Sequence, residues 1–295
     1  MKYTKPPLDL DKQVDNLISK NLIVSDINKA KNYLSNINYY RFSGYSYHFL
    51  DKTNDKFHDN VNFDDILELY LFDREFRMLV FDAIERIEIS FRTQIIYHFS
   101  LEFGSNWYEN KEIFYDHNLY DEHLSKLKEE IDRSTEVFID HFKTKYFESE
   151  NPPAWMTFEV ISIGLLSKIY RNLSNSETKK RVSKHYKLDK IEIFQSWMQS
   201  ISYVRNICAH HGRLWNRILT IKPINIKNID NWVEDKTYKN DKIYYFLCTI
   251  LYLLKSINPN TKFAAQLKQL FDKYPKIPTR NMGFTPYWKE EVFWK

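Results

Sequence analysis

The sequence predicts an all-α protein, and three observations carry that reading. Only 5 Gly and 9 Pro occur in 295 residues, too few turn-formers for a β-rich chain. Between Phe63 and Phe103 neither residue occurs, and Ile66, Leu69, Phe76, Val80, Ala83, Ile84, Ile87 and Phe91 recur at helical spacing. Few stretches alternate apolar and polar residues with the two-residue period of a strand.

Taken in order, residues 10–18 read as a first helix, with a break at Asn21 and a second helix from an N-cap at Ser25 or Asp26. Residues 38–49 are dense in aromatics around one arginine, Arg41. Such a cluster either stacks nucleic-acid bases or packs a core around the arginine, and core packing is the commoner outcome. Residues 51–62 are polar and read as a loop. The long helix of residues 63–103 follows, ended by Gly104. On it Arg74, Arg77, Glu85, Glu88 and Arg92 project within about a quarter of the circumference, as a solvated face or an ion-pair network. Helices around residues 123–134 and 135–146 precede the Asn151-Pro152-Pro153 break. Residues 154–170 read as one apolar helix whose Ser162, Gly164 and Ser167 admit a close neighbour. Residues 176–186 are basic and polar. Residues 191–204 are amphipathic, and helix is expected to continue through Arg217, apart from an irregularity at Gly212. Helices over 242–254 and 261–274 remain, with an irregular tail at 281–288 pinned by aromatics. No repeat and no clear linker is visible. The expected organisation is a helical N-terminal extension with the aromatic cluster (1–62) and a helical domain (63–295), forming one continuous unit.

Composition narrows the function. Two cysteines, Cys208 and Cys248, make neither a disulfide framework nor a zinc site. The first residues lack the apolar core of a signal peptide, and the longest apolar run, 243–254, is too short to span a bilayer; a cytoplasmic protein with no membrane partner is expected. Net charge is only +4, but from Lys168 onward 24 basic residues face 10 acidic ones, against 19 and 29 before it. Either the basic half meets a polyanion, or the two halves attract each other.

The densest concentration of chemistry is the run of residues 204–217, with Arg205, Asn206, His210, His211, Arg213 and Arg217. A guanidinium holds a phosphate with a planar fork of donors and stays charged. An imidazole titrates near neutrality and exchanges a proton with a ribose 2′-OH or a leaving 5′-oxygen. Arg205 and His210 form an Arg-x4-His spacing, a weak signal by itself. Residues five apart on an ideal helix point about 140° away from each other. Either a local distortion bridges that gap, or the site is composite, facing an equivalent pair from another helix or subunit. Adjacent histidines point to different faces, so at most one is catalytic. Cys208 has no base beside it and reads as a small buried apolar residue. His-Glu-x-x-His, phosphate-loop and Gly-x-Ser-x-Gly motifs are absent from the sequence, and no cofactor or metal is expected.

Tyr39-Tyr40-Arg41-Phe42-Ser43-Gly44-Tyr45, Phe72-Asp73-Arg74-Glu75-Phe76-Arg77, Ala83-Ile84-Glu85-Arg86-Ile87-Glu88, Trp155-Met156, Ser162-x-Gly164 and the 204–217 run occur in that order. Together they resemble the AbiD/AbiF-like abortive-infection proteins of bacteria across nearly the whole chain. The resemblance implies a multi-helix HEPN-like bundle, a phage-defence toxin, and kinship with HEPN ribonucleases. It also implies a cognate small noncoding RNA that restrains the toxin. The HEPN pattern, Arg-x4–6-His with a polar residue after the arginine, maps onto Arg205, Asn206 and His210; His211 also satisfies the spacing. Arg92 and His98 fit it loosely, with Thr93 as a smaller polar follower, as a second half-site. HEPN nucleases bring two motifs together, which a homodimer also supplies. The expected activity is metal-independent RNA cleavage, with Arg41, His211, Arg213 and Arg217 holding RNA. The competing expectations are a non-catalytic RNA-binding or phage-sensing module, and a helical interaction protein whose arginines and histidines are structural.

Overall fold

A computed structural model of the chain describes residues 2, 6–149, 151–226, 229 and 232–295. Among them lie twelve α-helices and one two-stranded hairpin, so the protein is all-α as expected. The chain divides into two compact units, one reaching Arg77 and taking in Gln269–Ile277, the other comprising Met78–Lys268 and Pro278–Lys295.

In the first unit, helix boundaries follow side-chain caps. α1 (Leu10–Ser19) opens on Asp9, whose carboxylate accepts the Lys12 N–H at 2.8 Å, and the chain turns at Asn21 with φ 72°. α2 (Ile27–Ile37) is capped by Asp26, which accepts the Lys29 N–H at 2.9 Å. Asn38, at φ 67°, caps α3 (Tyr39–Ser46) through the Tyr40 N–H at 2.8 Å. The segment expected to be loop carries a short hairpin, with β1 (Leu50–Asp51) antiparallel to β2 (Lys56–Phe57).

α4 (Phe63–Phe103) spans the interval free of Gly and Pro, and its residues up to Arg77 belong to this unit. The aromatic cluster splits between core and surface. Phe42 stacks on Phe63 at 4.6 Å. The Tyr45 hydroxyl donates to buried Asp73 at 2.7 Å, and Arg77 donates to both. Burial, with Asp73 alongside, pushes the Tyr45 hydroxyl far above its ordinary pKa. Tyr40 (86% exposed), Arg41 and Tyr47 remain at the surface.

The second unit begins with α4 from Met78. α5 (His117–Arg133) starts six residues before the expected position, because Asp116 caps it by accepting the Asn118 and Leu119 N–H groups, each at 3.0 Å. α6 (Val137–Lys145) follows.

Residues 154–170 are not the single helix expected. α7 (Ala154–Thr157) is one turn, and α8 (Ile163–Asn172) starts afresh at Ser162, whose hydroxyl accepts the Leu165 N–H at 3.3 Å. The break frees backbone carbonyls that must find donors. Buried Arg92 of α4 supplies them, donating to the Phe158 carbonyl and, at 3.0 Å, to the Ile161 carbonyl; it also pairs with Glu88 at 2.8 Å. Of the five charges grouped on α4, Arg77 and Arg92 are therefore buried in pairs, whereas Arg74 and Glu85 are exposed.

α9 (Glu177–His185), α10 (Ile191–Ala209), α11 (Ile243–Ile257) and α12 (Phe263–Lys273) complete the order. The core is aromatic where α4, α8 and α10 meet: Phe91 packs on Tyr170 and Phe194 at 5.4 Å each, and Tyr186 stacks on Phe194 at 4.8 Å. α11 is buried nearly all round, as its continuous apolar sequence requires. α8 and α10 approach through small residues, as expected: a Cβ at Gly164 would lie 3.5 Å from the Ser202 hydroxyl. The tail is pinned by Phe284 on Tyr244 and on Trp288, each at 4.8 Å. No helix among the described residues is long and apolar enough to cross a membrane.

Candidate functional site

α10 carries Arg205 and Asn206 near its C-terminus. Phe194, Trp197, Met198, Ile201, Val204 and Cys208 bury one face of it, which fixes its rotation. The helix ends at Ala209, eight residues short of the expected Arg217.

The cause is a helix stop built from the motif itself. His210 is the C-cap, and His211 adopts the left-handed conformation at φ 57°. The Gly212 N–H then donates to the Ile207 carbonyl at 2.8 Å, and the His211 N–H to the Cys208 carbonyl at 3.1 Å. That pair of bonds is the Schellman closure, with histidine where glycine is usual. A non-glycine residue there carries roughly 1–2 kcal/mol of strain.

Gly212 is confined in turn: a Cβ on it would lie 3.2 Å from Ile207 Cγ2, 3.3 Å from the Ile207 carbonyl oxygen and 3.8 Å from Arg217 Nη1. Buried Leu214 and Trp215 anchor the far side of the turn. His210 and His211 are both exposed on it, with Arg213 and Arg217 half-buried beside them.

Arg205 and Asn206 diverge, as neighbours on a helix must. The Arg205 guanidinium lies over the Phe81 ring of α4, 5.7 Å from its centroid. Its Nε–H is buried without a hydrogen-bond partner, and no carboxylate among the described residues pairs with the group. Asn206 instead opens into a trough of about 540 Å³ walled by α5, α8 and α10. A backbone bond ties the His210 N–H to the Asn206 carbonyl at 3.0 Å. A larger cavity, about 1240 Å³, lies at the other end of α10, and its lining contains no residue of the motif.

The structure does not bring Arg92 and His98 together. Arg92 is directed at the turn before α8, as described, whereas His98 is half-buried near Arg181 and His185 of α9. Burial first, then those two groups, holds the His98 imidazole below its ordinary pKa. Arg41 is exposed on α3 in the first unit. Among the described residues no group of three or more His, Cys, Asp or Glu is placed to hold a metal ion.

Sequence reasoning missed Phe81, the shelf under Arg205, because an aromatic on a long amphipathic helix carries no mark of such a role. It also missed the polar stripe Gln195, Gln199, Ser202 and Tyr203, whose helical spacing leads to Asn206.

No curated protein and no solved structure matches the chain. The family described as Abi-like protein matches residues 32–216, a span running from α2 through Arg205, His210 and Trp215. Such a family suggests abortive-infection phage defence. That span covers more than half of the sequence, and the chain belongs to the Abi-like protein family.

Proposed function

We propose that the protein is a metal-independent endoribonuclease of the HEPN type, acting as a growth-arresting phage-defence toxin held in check by a cognate small noncoding RNA. The observation that carries the reading is Arg205. It is a half-buried guanidinium with an orphaned Nε–H and no carboxylate partner among the described residues, five residues before a strained turn that exposes two histidines. An unmet buried donor costs about 1–3 kcal/mol, and an anionic ligand would supply what the chain does not.

In this reading Arg205 holds the scissile phosphate and stabilises the charge that develops on it. The ribose 2′-oxygen attacks phosphorus and the 5′-oxygen departs, leaving a 2′,3′-cyclic phosphate and a 5′-hydroxyl. His210 serves as the general base on the 2′-OH or as the acid toward the 5′-oxygen. One imidazole does one of these at a time, so the other comes from a second copy of the chain. Two features support a second copy: the structural bonds that occupy Arg92, and the exposed apolar residues Met78 (66%) and Ile89 (56%), which flank Phe81 on α4. Arg213 and Arg217 hold the flanking backbone, and His211 shapes the turn.

A non-catalytic RNA-binding module is the second reading, favoured by the trough at Asn206. Induced expression in bacteria tests the toxin. Growth arrest by the wild type and normal growth with folded Arg205→Ala or His210→Ala is the expected result; undiminished toxicity of both variants would defeat the assignment. A denaturing gel of labelled RNA in EDTA separates cleavage from binding alone.

A further inference from the structure

The trough beside Asn206 is a second place where the chain gathers polar groups. Its floor is one stripe of α10: Gln195, Gln199, Ser202, Tyr203 and Asn206, at i, i+4, i+7, i+8 and i+11. All five are uncharged; Ser202 is buried against α8, and the other four offer hydrogen-bonding groups at positions where a surface helix ordinarily carries Lys or Glu. Lys168 and Arg171 of α8 form one wall, a turn apart on one face. Neither has a carboxylate partner among the described residues. The α5 wall is different: Lys126 pairs with Glu122 and Glu130 with Arg133, while Glu129, which accepts from the Ser125 hydroxyl at 3.4 Å, adds an exposed carboxylate. The trough thus has an amide-and-hydroxyl floor, one aromatic ring at Tyr203, and a net positive wall on one side only.

We propose that this trough binds a single-stranded segment of RNA, with an unpaired base against the α10 stripe and its phosphates on Lys168 and Arg171. The amides of Gln199 and Asn206 each donate and accept, which suits the edge of a splayed base; Gln195 donates to the Arg171 carbonyl at 3.4 Å and keeps its oxygen for the ligand. Tyr203 offers a face for stacking. An acidic peptide would use the same two cations and pair its backbone with the amides, but it brings no base for Tyr203 to stack on. At about 540 Å³ the trough lies in the size range of small-ligand clefts and holds one nucleotide, not a duplex. It extends the ribonuclease reading by naming where the strand lies, and it rests on that reading only in taking RNA as the ligand.

The test is fluorescence anisotropy of a labelled, unstructured 12-nucleotide RNA with the full chain, across a salt series. Lys168→Ala/Arg171→Ala is expected to weaken binding at least tenfold. It should also flatten the slope of log affinity against log salt by about 0.7 per lost phosphate contact. Gln199→Ala is expected to change preference among homopolymer RNAs while leaving the salt slope as it was. Lys145→Ala, on α6 and outside the trough, should bind as the wild type. All these positions are exposed, and unchanged circular dichroism confirms folding. Wild-type affinity in the double variant, equal binding of duplex and single strand, absence of wild-type RNA affinity, or displacement of RNA by an acidic peptide but not by unlabelled RNA would each overturn the proposal. A wild type that binds RNA through the trough yet never cleaves it would defeat the nuclease reading and leave this one standing.

Discussion

Replacing Arg92 separates a structural arginine from a second catalytic half-site. In Arg92→Leu the carbonyls of Phe158 and Ile161 lose their donor, and Glu88 loses its cation. Both side chains of the Arg92–Glu88 pair are largely buried, so solvent screening does little to soften the loss. Breaking a buried pair from one side costs about 3–5 kcal/mol, and the orphaned carbonyls lie on the same scale. A working figure is about 4 kcal/mol. At roughly 2–4 °C per kcal/mol for a domain of 150–250 residues, Tm should fall by about 8–16 °C. Adding Glu88→Leu should recover part of that, because the stranded carboxylate is gone while the carbonyls stay unmet. The assay is differential scanning fluorimetry, paired with RNA cleavage per folded molecule at a temperature well below the lowered Tm. Retained cleavage by the folded fraction is expected. A Tm within about 2 °C of wild type together with abolished cleavage would refute the reasoning and return Arg92 to the active site.

Three further outcomes follow from particular contacts. Lys179 is 1% exposed, donates to the Leu173 and Arg171 carbonyls at the end of α8, and is pushed by burial from 10.5 down to about 8. The folded state therefore carries a penalty for its charge that is full below pH 8 and disappears as pH rises toward 10.5. The wild type should gain up to about 3 kcal/mol relative to Lys179→Met across that window, and parallel stability curves from pH 7 to 10 would contradict it. His211→Gly should relieve the roughly 1–2 kcal/mol of left-handed strain, for a net gain of up to about 1 kcal/mol once glycine's greater freedom in the unfolded chain is set against it. It should keep RNA cleavage if His210 is the catalytic histidine; a stable but inactive variant would transfer that role to His211. Tyr45→Phe should leave buried Asp73 short of one donor and cost about 1–3 kcal/mol, read as a lower urea midpoint, and an unchanged midpoint would count against the buried triad.

Most helices could be read in advance because their ends are local. Asp26 caps α2, Gly104 closes α4, and the interval between Phe63 and Phe103 contains nothing to interrupt it. The break before α8 was not legible. Apart from Glu159 and the capping Ser162 its residues are apolar, and what makes the interruption tolerable is Arg92, more than sixty residues earlier. The end of α10 was half legible: irregularity was expected at Gly212, but the left-handed residue is His211, one position before it. Motif spacing located Arg205 and His210 without showing that Arg205 rests on Phe81 while Asn206 opens on the opposite trough. That divergence follows from helix rotation, which the buried face of α10 sets.

The central claim is tested most directly by incubating end-labelled single-stranded RNA with purified wild type, Arg205→Ala and His210→Ala in EDTA and identifying the termini produced. The account predicts 2′,3′-cyclic phosphate and 5′-hydroxyl ends from the wild type, with the rate reduced at least a hundredfold in both folded variants. Intact RNA with the wild type, or the same products at the same rate from either variant, would contradict it.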